Sequence, residues 1–141
     1  MVFLPRSYTE GQILEVVHDW VDVLAKQDYE LIFSELRYAV ACDRPGAECI
    51  KNEIKRYRSQ DYFPGIEEFS VTDWRTAAGG NPRPKQKVIW YKPSSSNLAG
   101  AISFDLPING KWSDLTADFV FTETGDAKGY VLCLEEISSN V

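Results

Sequence analysis

The chain has 141 residues, of which 44 % are hydrophobic and 13 % aromatic. This length and composition are typical of one domain with a single core and exclude a disordered or low-complexity chain. The formal net charge of −6 disfavours nucleic acid or an anionic membrane as the main partner. No apolar run reaches the roughly 18 residues of a membrane-spanning helix, and the polar N-terminus is atypical of a secretory signal, so we expect a cytoplasmic protein.

The first 60 residues carry the spacing of amphipathic helices. Thr9 and Gln12 form a capping-box pattern, which predicts a helix start. The apolar stripe of this helix comprises Ile13, Val16, Val17, Trp20, Val21 and Leu24. A second, short helix is predicted from Asp28, with an inward face of Tyr29, Ile32, Phe33 and Leu36. A third helix is predicted to start at Pro45, with an inward face of Ala47, Ile50, Ile54 and Tyr57.

Beyond residue 65 apolar and polar residues alternate, which indicates strands. We expect five of them, near residues 67–76, 85–92, 98–106, 113–123 and 129–137. Asn109-Gly110 is a strong hairpin signal, and Gly125-Asp126 marks a second turn. The sequence therefore predicts an α+β domain spanning residues 1–141. Its N-terminal helices pack on a curved antiparallel sheet of four to five strands, which ends in a three-stranded meander.

The two turns predict which residues face each other across the meander. Centring them on these dipeptides pairs Phe104 with Leu115 and Phe119 with Leu132. Apolar residues then share one face of the sheet, and a slip by one residue would destroy that match. We therefore expect this face to pack against the helices, and the other, half-polar face to be solvated or to meet a partner.

Asp118 and Glu135 are the candidate carboxylate pair. The predicted register makes them diagonal neighbours on the half-polar face, about 7–8 Å apart. As catalytic groups they would act as general acid and base, but a solvated face favours ordinary strand carboxylates. His18 is the only histidine and hence the one candidate for imidazole chemistry, with Asp22 one turn later as its expected partner. Its position away from the centre of the apolar stripe of the helix favours a solvated or edge histidine instead.

Metal, cofactor and redox chemistry find little support in the sequence. Three cysteines, Cys42, Cys49 and Cys133, cannot all pair, and we expect reduced thiols. Their spacing lacks the further Cys or His ligands of a zinc site, so neither a metal nor a cofactor is predicted. No catalytic triad or phosphate-binding loop is recognisable, and no enzyme class is assigned.

The candidate binding residues lie in or near a basic segment. They are Trp90, Tyr91, Arg75, Lys87 and Trp112. Residues 75–92 carry five basic and no acidic side chains. Because Trp90 and Tyr91 are adjacent on a predicted strand, one ring points out of each face. The outward ring is either covered by another part of the chain or anchors a protein partner, a role that exposed aromatic rings serve well. Trp112, beside the Asn-Gly turn, is either a second anchor or a residue that pins the hairpin.

The order of elements, helices first and then a long antiparallel meander, resembles the nuclear-transport-factor-2-like (SnoaL-like) superfamily of cone-shaped α+β domains. That resemblance implies a curved sheet wrapped around the N-terminal helix, with space for a small ligand and acidic residues in the cones of its enzymes. The early hairpin of the family is missing or reduced to YAVAC (38–42). The tail, NGKWSDLTADFVF (109–121) and GYVLCLEEI (129–137), is similar to small bacterial domains, some thought to be immunity proteins of toxin systems.

Two functional hypotheses follow. The first is a non-catalytic, acidic binding domain that recognises another protein, of the immunity or inhibitor type, or itself as a homodimer. The alternative is a cone-pocket protein or enzyme that binds a small apolar molecule and acts by carboxylate proton transfer. An open apolar cavity of hundreds of Å³, with an acid or a tyrosine inside, would favour the alternative.

Overall fold

The computed structural model describes residues 2–35, 37–38, 47–93 and 96–139, and it is an α+β fold as predicted. These residues include three helices, α1 (Glu10–Ala25), α2 (Tyr29–Glu35) and α3 (Ala47–Arg56). The same ranges contain six strands, β1 (Val2–Pro5), β2 (Arg37–Tyr38), β3 (Gln86–Trp90), β4 (Leu98–Ile108), β5 (Lys111–Glu123) and β6 (Gly129–Ser139). None of the helices in the described ranges has the length and apolar character needed to cross a membrane.

The helices form largely where their spacing predicts. Thr9 caps α1, and the reciprocal bonds of the capping box with Gln12 are both present. The apolar stripe of α1 is buried except for Val16, which is half-buried. In α2, Ile32 faces the core but Phe33 is exposed, so its predicted burial is wrong. The reason is that a helix of seven residues has one narrow inward face, and Ile32 occupies it. Leu36 and the predicted start at Pro45 lie outside the described residues.

The strands form one open sheet in the order β1-β6-β5-β4-β3, and the short β2 pairs with β6 in parallel. Strands β4, β5 and β6 are consecutive antiparallel neighbours, which confirms the predicted meander. The helices cover one face of the sheet, and the core lies between them. Strands β1 and β2 were not predicted, because four and two residues are too few to show an alternating pattern.

The register of the meander differs from the prediction by two residues. Asn109 and Gly110 form the predicted turn, with φ of 49° and 82°, but an irregularity in β4 follows, and Phe104 pairs with Ala117 rather than Leu115. Phe119 pairs with Leu134 rather than Leu132, because the second turn is the longer loop 124–128. Since strand side chains alternate with a period of two, this shift leaves the same residues on the buried face.

The predicted strand near 67–76 is wrong. This segment is irregular, and Val71 makes only an isolated bridge to Ile108. The Thr72 N–H donates to the carbonyl of Pro107, which has no N–H to extend the ladder. Val71 is nevertheless buried and Trp74 half-buried against the core, so the apolar pattern reports burial here without reporting a strand.

The expectation of three reduced thiols is also wrong. Cys49 is disulfide-bonded, whereas Cys133 is a free thiol. An odd number of cysteines allows one pair beside a free thiol, and composition alone does not decide between that and full reduction.

Candidate functional site

Strand β3 forms a free edge of the sheet. The Asp105 N–H donates to the Lys85 carbonyl and the Tyr91 N–H donates to the Ala99 carbonyl, so the odd-numbered residues of this segment bond to β4. In an antiparallel pair the alternate residues then direct their backbone groups away from the partner strand. These residues are Gln86, Val88 and Trp90. No other strand of the described chain pairs with β3 on that side.

Three consecutive large apolar side chains are exposed at this edge. Ile89, Trp90 and Tyr91 retain 43 %, 42 % and 43 % of their accessible surface. The Trp90 ring lies edge-to-face against Phe121 and Tyr130, with ring centroids 5.1 and 5.8 Å away. These contacts fix the orientation of the ring while leaving much of it open, which suits an anchoring residue.

A groove of about 210 Å³ lies beside Trp90. It is lined by Arg6, Trp90, Tyr91, Pro93, Ser96, Leu98, Ala99, Glu123 and Tyr130. Arg6 forms an ion pair with Glu123, and its guanidinium lies 5.7 Å from the centre of the Tyr130 ring. The groove therefore combines aromatic walls with one internally paired cation and anion, and it can accept an apolar side chain without leaving a charge unpaired.

The cations of the edge are available to a partner. Arg83, Lys85, Lys87 and Lys92 are exposed, and none lies within 4 Å of a carboxylate in the described ranges. Lys87 stands opposite Ser103, whose hydroxyl donates to Asp118 at 2.7 Å. Asp118 is thus engaged with the sheet itself rather than with a lysine.

Arg75, a predicted binding residue, is instead held within the fold. Its guanidinium forms a bidentate pair with Asp22 of α1 at 2.8 and 3.0 Å and also contacts Asp73 at 3.1 Å. It lies 4.5 Å from the centre of the Trp74 ring. The hydrogen bonds from Arg75 hold the pKa of Asp22 below its usual range. Arg75 thereby fastens the irregular segment around Trp74 to α1.

His18 belongs to the same cluster. Its ring stacks on Trp74 with centroids 3.8 Å apart and meets the edge of Phe104 at 5.5 Å. Burial between these rings lowers the pKa of His18. Its expected partner, Asp22, bonds Arg75 instead. The imidazole therefore acts as a flat packing group between helix and loop.

The predicted pairing of Asp118 and Glu135 is wrong in its register. An irregularity between Asp118 and Phe119 places Asp118 opposite Glu136 and leaves Glu135 as the extra residue of a bulge. Both carboxylates are half-buried on strands whose apolar side chains point the other way. Local patterns do not reveal a bulge, because the residues beside it keep their own alternation.

Trp112 lies apart from the edge strand. Its ring meets Phe104 at 6.3 Å, and its backbone N–H donates to the Gly79 carbonyl at 3.1 Å. These contacts hold the loop around Gly80, which bridges to Trp112, against the β4–β5 hairpin. Of the two roles that the sequence left open, the structure places Trp112 where it pins the hairpin.

An apolar cavity of about 250 Å³ lies elsewhere, between α1, α2, β1 and β6. Its lining consists of Val2, Val16, Asp19, Trp20, Val23, Leu31, Ile32 and Leu132. One carboxylate, Asp19, is among them, whereas His18, Asp118 and Glu135 are not. The signal in the sequence is weak: Val16 and Val23 extend the apolar surface of α1 beyond its fully buried stripe.

Comparison with known proteins finds no matching family model, no matching curated protein and no matching solved structure. In the part of the chain that the structure describes, no three His, Cys, Asp or Glu side chains come together as a metal site. Any function proposed for this chain therefore depends on the geometry of its own residues.

Proposed function

We propose that this chain is a protein-binding domain that recognises an extended segment of another protein at the β3 edge. The observation that carries the proposal is a free edge strand whose outward backbone groups stand beside three exposed apolar side chains. A peptide strand added to such an edge gains main-chain hydrogen bonds, and neighbouring pockets select its side chains. Trp90 is the anchor, because it is both rigid and open.

An immunity or inhibitor role, a cytoplasmic location and a relation to the nuclear-transport-factor-2-like superfamily belong to this proposal. The order of helices and meander supports the family relation. The acidic net charge and the opposite charge of residues 75–92 support recognition of a charged partner. Self-association through the same edge is the competing outcome, which the size of the protein in solution tests.

The test starts with a photo-crosslinking residue in place of Gln86, at the free edge, and with a matched one at the exposed Asp61. A partner trapped from the native cells by the first and not by the second is then purified. We expect Trp90→Ser to weaken its binding at least about tenfold. Ile66→Ser, which removes another exposed apolar side chain, serves as the control and should leave the affinity unchanged. Equal effects of the two substitutions would contradict the proposal.

A second candidate function is the binding of a small apolar molecule in the α1–α2 cavity. The observation that favours it is the volume of about 250 Å³ with an almost wholly apolar lining. We expect 1-naphthol to bind the protein saturably, and Val16→Phe, which fills the cavity, to abolish that binding. If Val16→Phe binds 1-naphthol as well as the unchanged protein, the cavity is not a ligand site.

A further inference from the structure

We infer that the partner segment is acidic, with two carboxylates spaced two residues apart that face Lys85 and Lys87 and an apolar residue that faces Trp90. This inference rests on the proposed function and specifies the chemistry of its partner. It would make β3 selective for one class of extended peptide rather than a general edge for strand addition.

The charge of the edge supports an acidic partner. The chain as a whole has a net charge of −6, yet residues 75–92 carry five basic and no acidic side chains. Four of these cations, Arg83, Lys85, Lys87 and Lys92, have no carboxylate within 4 Å among the residues described. A local cationic strip on an anionic molecule attracts and orients an anionic segment as it approaches.

The alternation of β3 sets the spacing of the partner. Lys85 and Lys87 are two residues apart and point to one face, whereas Trp90 points to the other, against Phe121. A strand added alongside alternates in the same way. Residues opposite these three positions are therefore k, k+2 and k+5 of a partner strand that runs parallel to β3, or k, k−2 and k−5 of one that runs antiparallel, acidic at the first two and apolar at the third.

A second copy of this chain is a poor occupant of the edge. Antiparallel pairing of two β3 strands would bring two basic segments together, and like charges opposed across a strand pair are destabilising. Nucleic acid is also a poorer occupant of this edge than a peptide strand. The outward carbonyls of Gln86, Val88 and Trp90 need N–H donors in a regular row, which a peptide backbone supplies and a phosphate backbone does not.

The probes are fluorescein-labelled ten-residue peptides read by fluorescence anisotropy. One has Asp at k and k+2 and Leu at both k−3 and k+5 among Thr and Val residues, so that it matches β3 in either strand direction. One has Lys in place of Asp, one is scrambled, and a ten-nucleotide oligothymidine is the nucleic-acid probe. We expect the Asp peptide to bind at least about tenfold more tightly than the other three. The inference is overturned if none of the peptides binds, or if the Lys peptide or the scrambled peptide binds as tightly as the Asp peptide.

Charge reversal on the protein provides the reciprocal test. Lys85→Glu with Lys87→Glu should raise the Kd of the Asp peptide about tenfold and should strengthen binding of the Lys peptide. Lys55→Glu with Lys128→Glu makes the same change in net charge at exposed positions away from β3 and should have a small effect. Equal losses in the two double variants overturn the inference.

N-methylation of the peptide separates this inference from the proposed function. Methylating every second amide should abolish binding for one alternate set and spare it for the other, because only one set of N–H groups faces β3.

If a trapped partner depends on Trp90 but its binding is indifferent to Lys85 and Lys87, the acidic specificity fails and the protein-binding function stands. If binding is unchanged both by Trp90→Ser and by methylation of either set of amides, the acidic specificity and the protein-binding function both fail. They also both fail if oligothymidine binds as tightly as the Asp peptide. Self-association that Trp90→Ser abolishes would identify the second copy as occupant and overturn the acidic specificity.

Discussion

Asp105 is a carboxylate almost wholly removed from solvent, with 2 % of its surface exposed. Its two oxygens accept hydrogen bonds from the Asn81 side chain at 3.1 Å, the Lys85 N–H at 2.7 Å and the Thr116 hydroxyl at 2.6 Å. These donors come from the loop before β3 and from β5, so the carboxylate ties the start of the edge strand to the middle of the sheet.

We expect Asp105→Asn to lower the free energy of unfolding by about 2 kcal/mol. The amide NH₂ that replaces one carboxylate oxygen cannot accept a hydrogen bond, so at least one donor that now bonds Asp105 is left buried without a partner. Asp61→Asn, on an exposed residue, should change it by less than about 0.5 kcal/mol. Urea unfolding monitored by tryptophan fluorescence measures both variants. A loss for Asp105→Asn no larger than the control's would show that this network contributes little.

His18 is expected to make the stability depend on pH. Its pKa is lowered in the fold, mainly by burial, although Asp22, Asp19 and Glu15 oppose and Arg75 assists this shift. As the pH falls, His18 therefore becomes protonated in the unfolded chain before it does so in the folded chain. Its contribution to the free energy of unfolding is complete above the unfolded pKa of about 6.5 and is lost as the pH falls from there through the lower folded pKa.

The variant His18→Gln removes this titration. We expect it to be less stable at pH 7.5, because the stack on Trp74 is lost, and to show a flatter decline in stability between pH 7 and 5.5. Unfolding free energies at each pH measure the two slopes. Parallel curves for the variant and the unchanged protein would assign the pH dependence to other groups.

At the scale of elements, the β4–β5 hairpin organises the irregular segment before β3. The Asn109 side chain accepts from the Ser70 N–H at 3.1 Å and donates to the Glu68 carbonyl at 3.0 Å, and its backbone N–H donates to the Ser70 carbonyl. The same residue adopts a left-handed conformation, which asparagine tolerates better than most residues. One side chain thus serves the turn and the loop packed on it.

Two substitutions separate these roles. Asn109→Ala should lower the free energy of unfolding by about 2 kcal/mol, since it loses the two side-chain bonds and strains the left-handed backbone. Asn109→Gly loses the bonds but relieves the backbone, and about 1 kcal/mol is expected. Thermal or urea unfolding provides the comparison. Equal losses would mean that the backbone conformation contributes little.

At the scale of the whole molecule, helices and sheet share one hydrophobic core. Leu24 of α1, Ile54 of α3 and Phe119 of β5 all belong to it and are fully or almost fully buried. A single core unfolds cooperatively in a domain of this size. The edge strand β3, by contrast, has one neighbour among the described strands and keeps exposed side chains, so it contributes less to the core than the central strands do.

We therefore expect one unfolding transition, with far-UV circular dichroism and tryptophan fluorescence giving the same midpoint. Leu24→Ala should shift both midpoints together and cost about 3 kcal/mol, because it opens a cavity between helix and sheet. Separate midpoints for the two signals would mean that the helices and the meander are independent units.

Much of the architecture could be predicted because its signals are local. The capping box at Thr9, the stripe of α1 and the turn at Asn109 each depend on residues within a few positions of one another. The candidate site could be predicted in part: Trp90, Tyr91 and Lys87 lie together at one edge. Arg75 does not join them as a free cation, because an ion pair with Asp22, more than fifty residues away in the chain, holds it within the fold.

By itself, the sequence determined which faces are apolar, where the first helix starts, where the hairpin turns and which segment is basic, since backbone geometry and side-chain period act over short distances. The tertiary structure alone decided that β3 is an edge strand, that an irregularity in β4 and a longer second turn shift the register by two residues, and that the cavity lies between α1 and α2. Those features depend on which distant segments meet, and the free energy of their packing is distributed over contacts that no local pattern records.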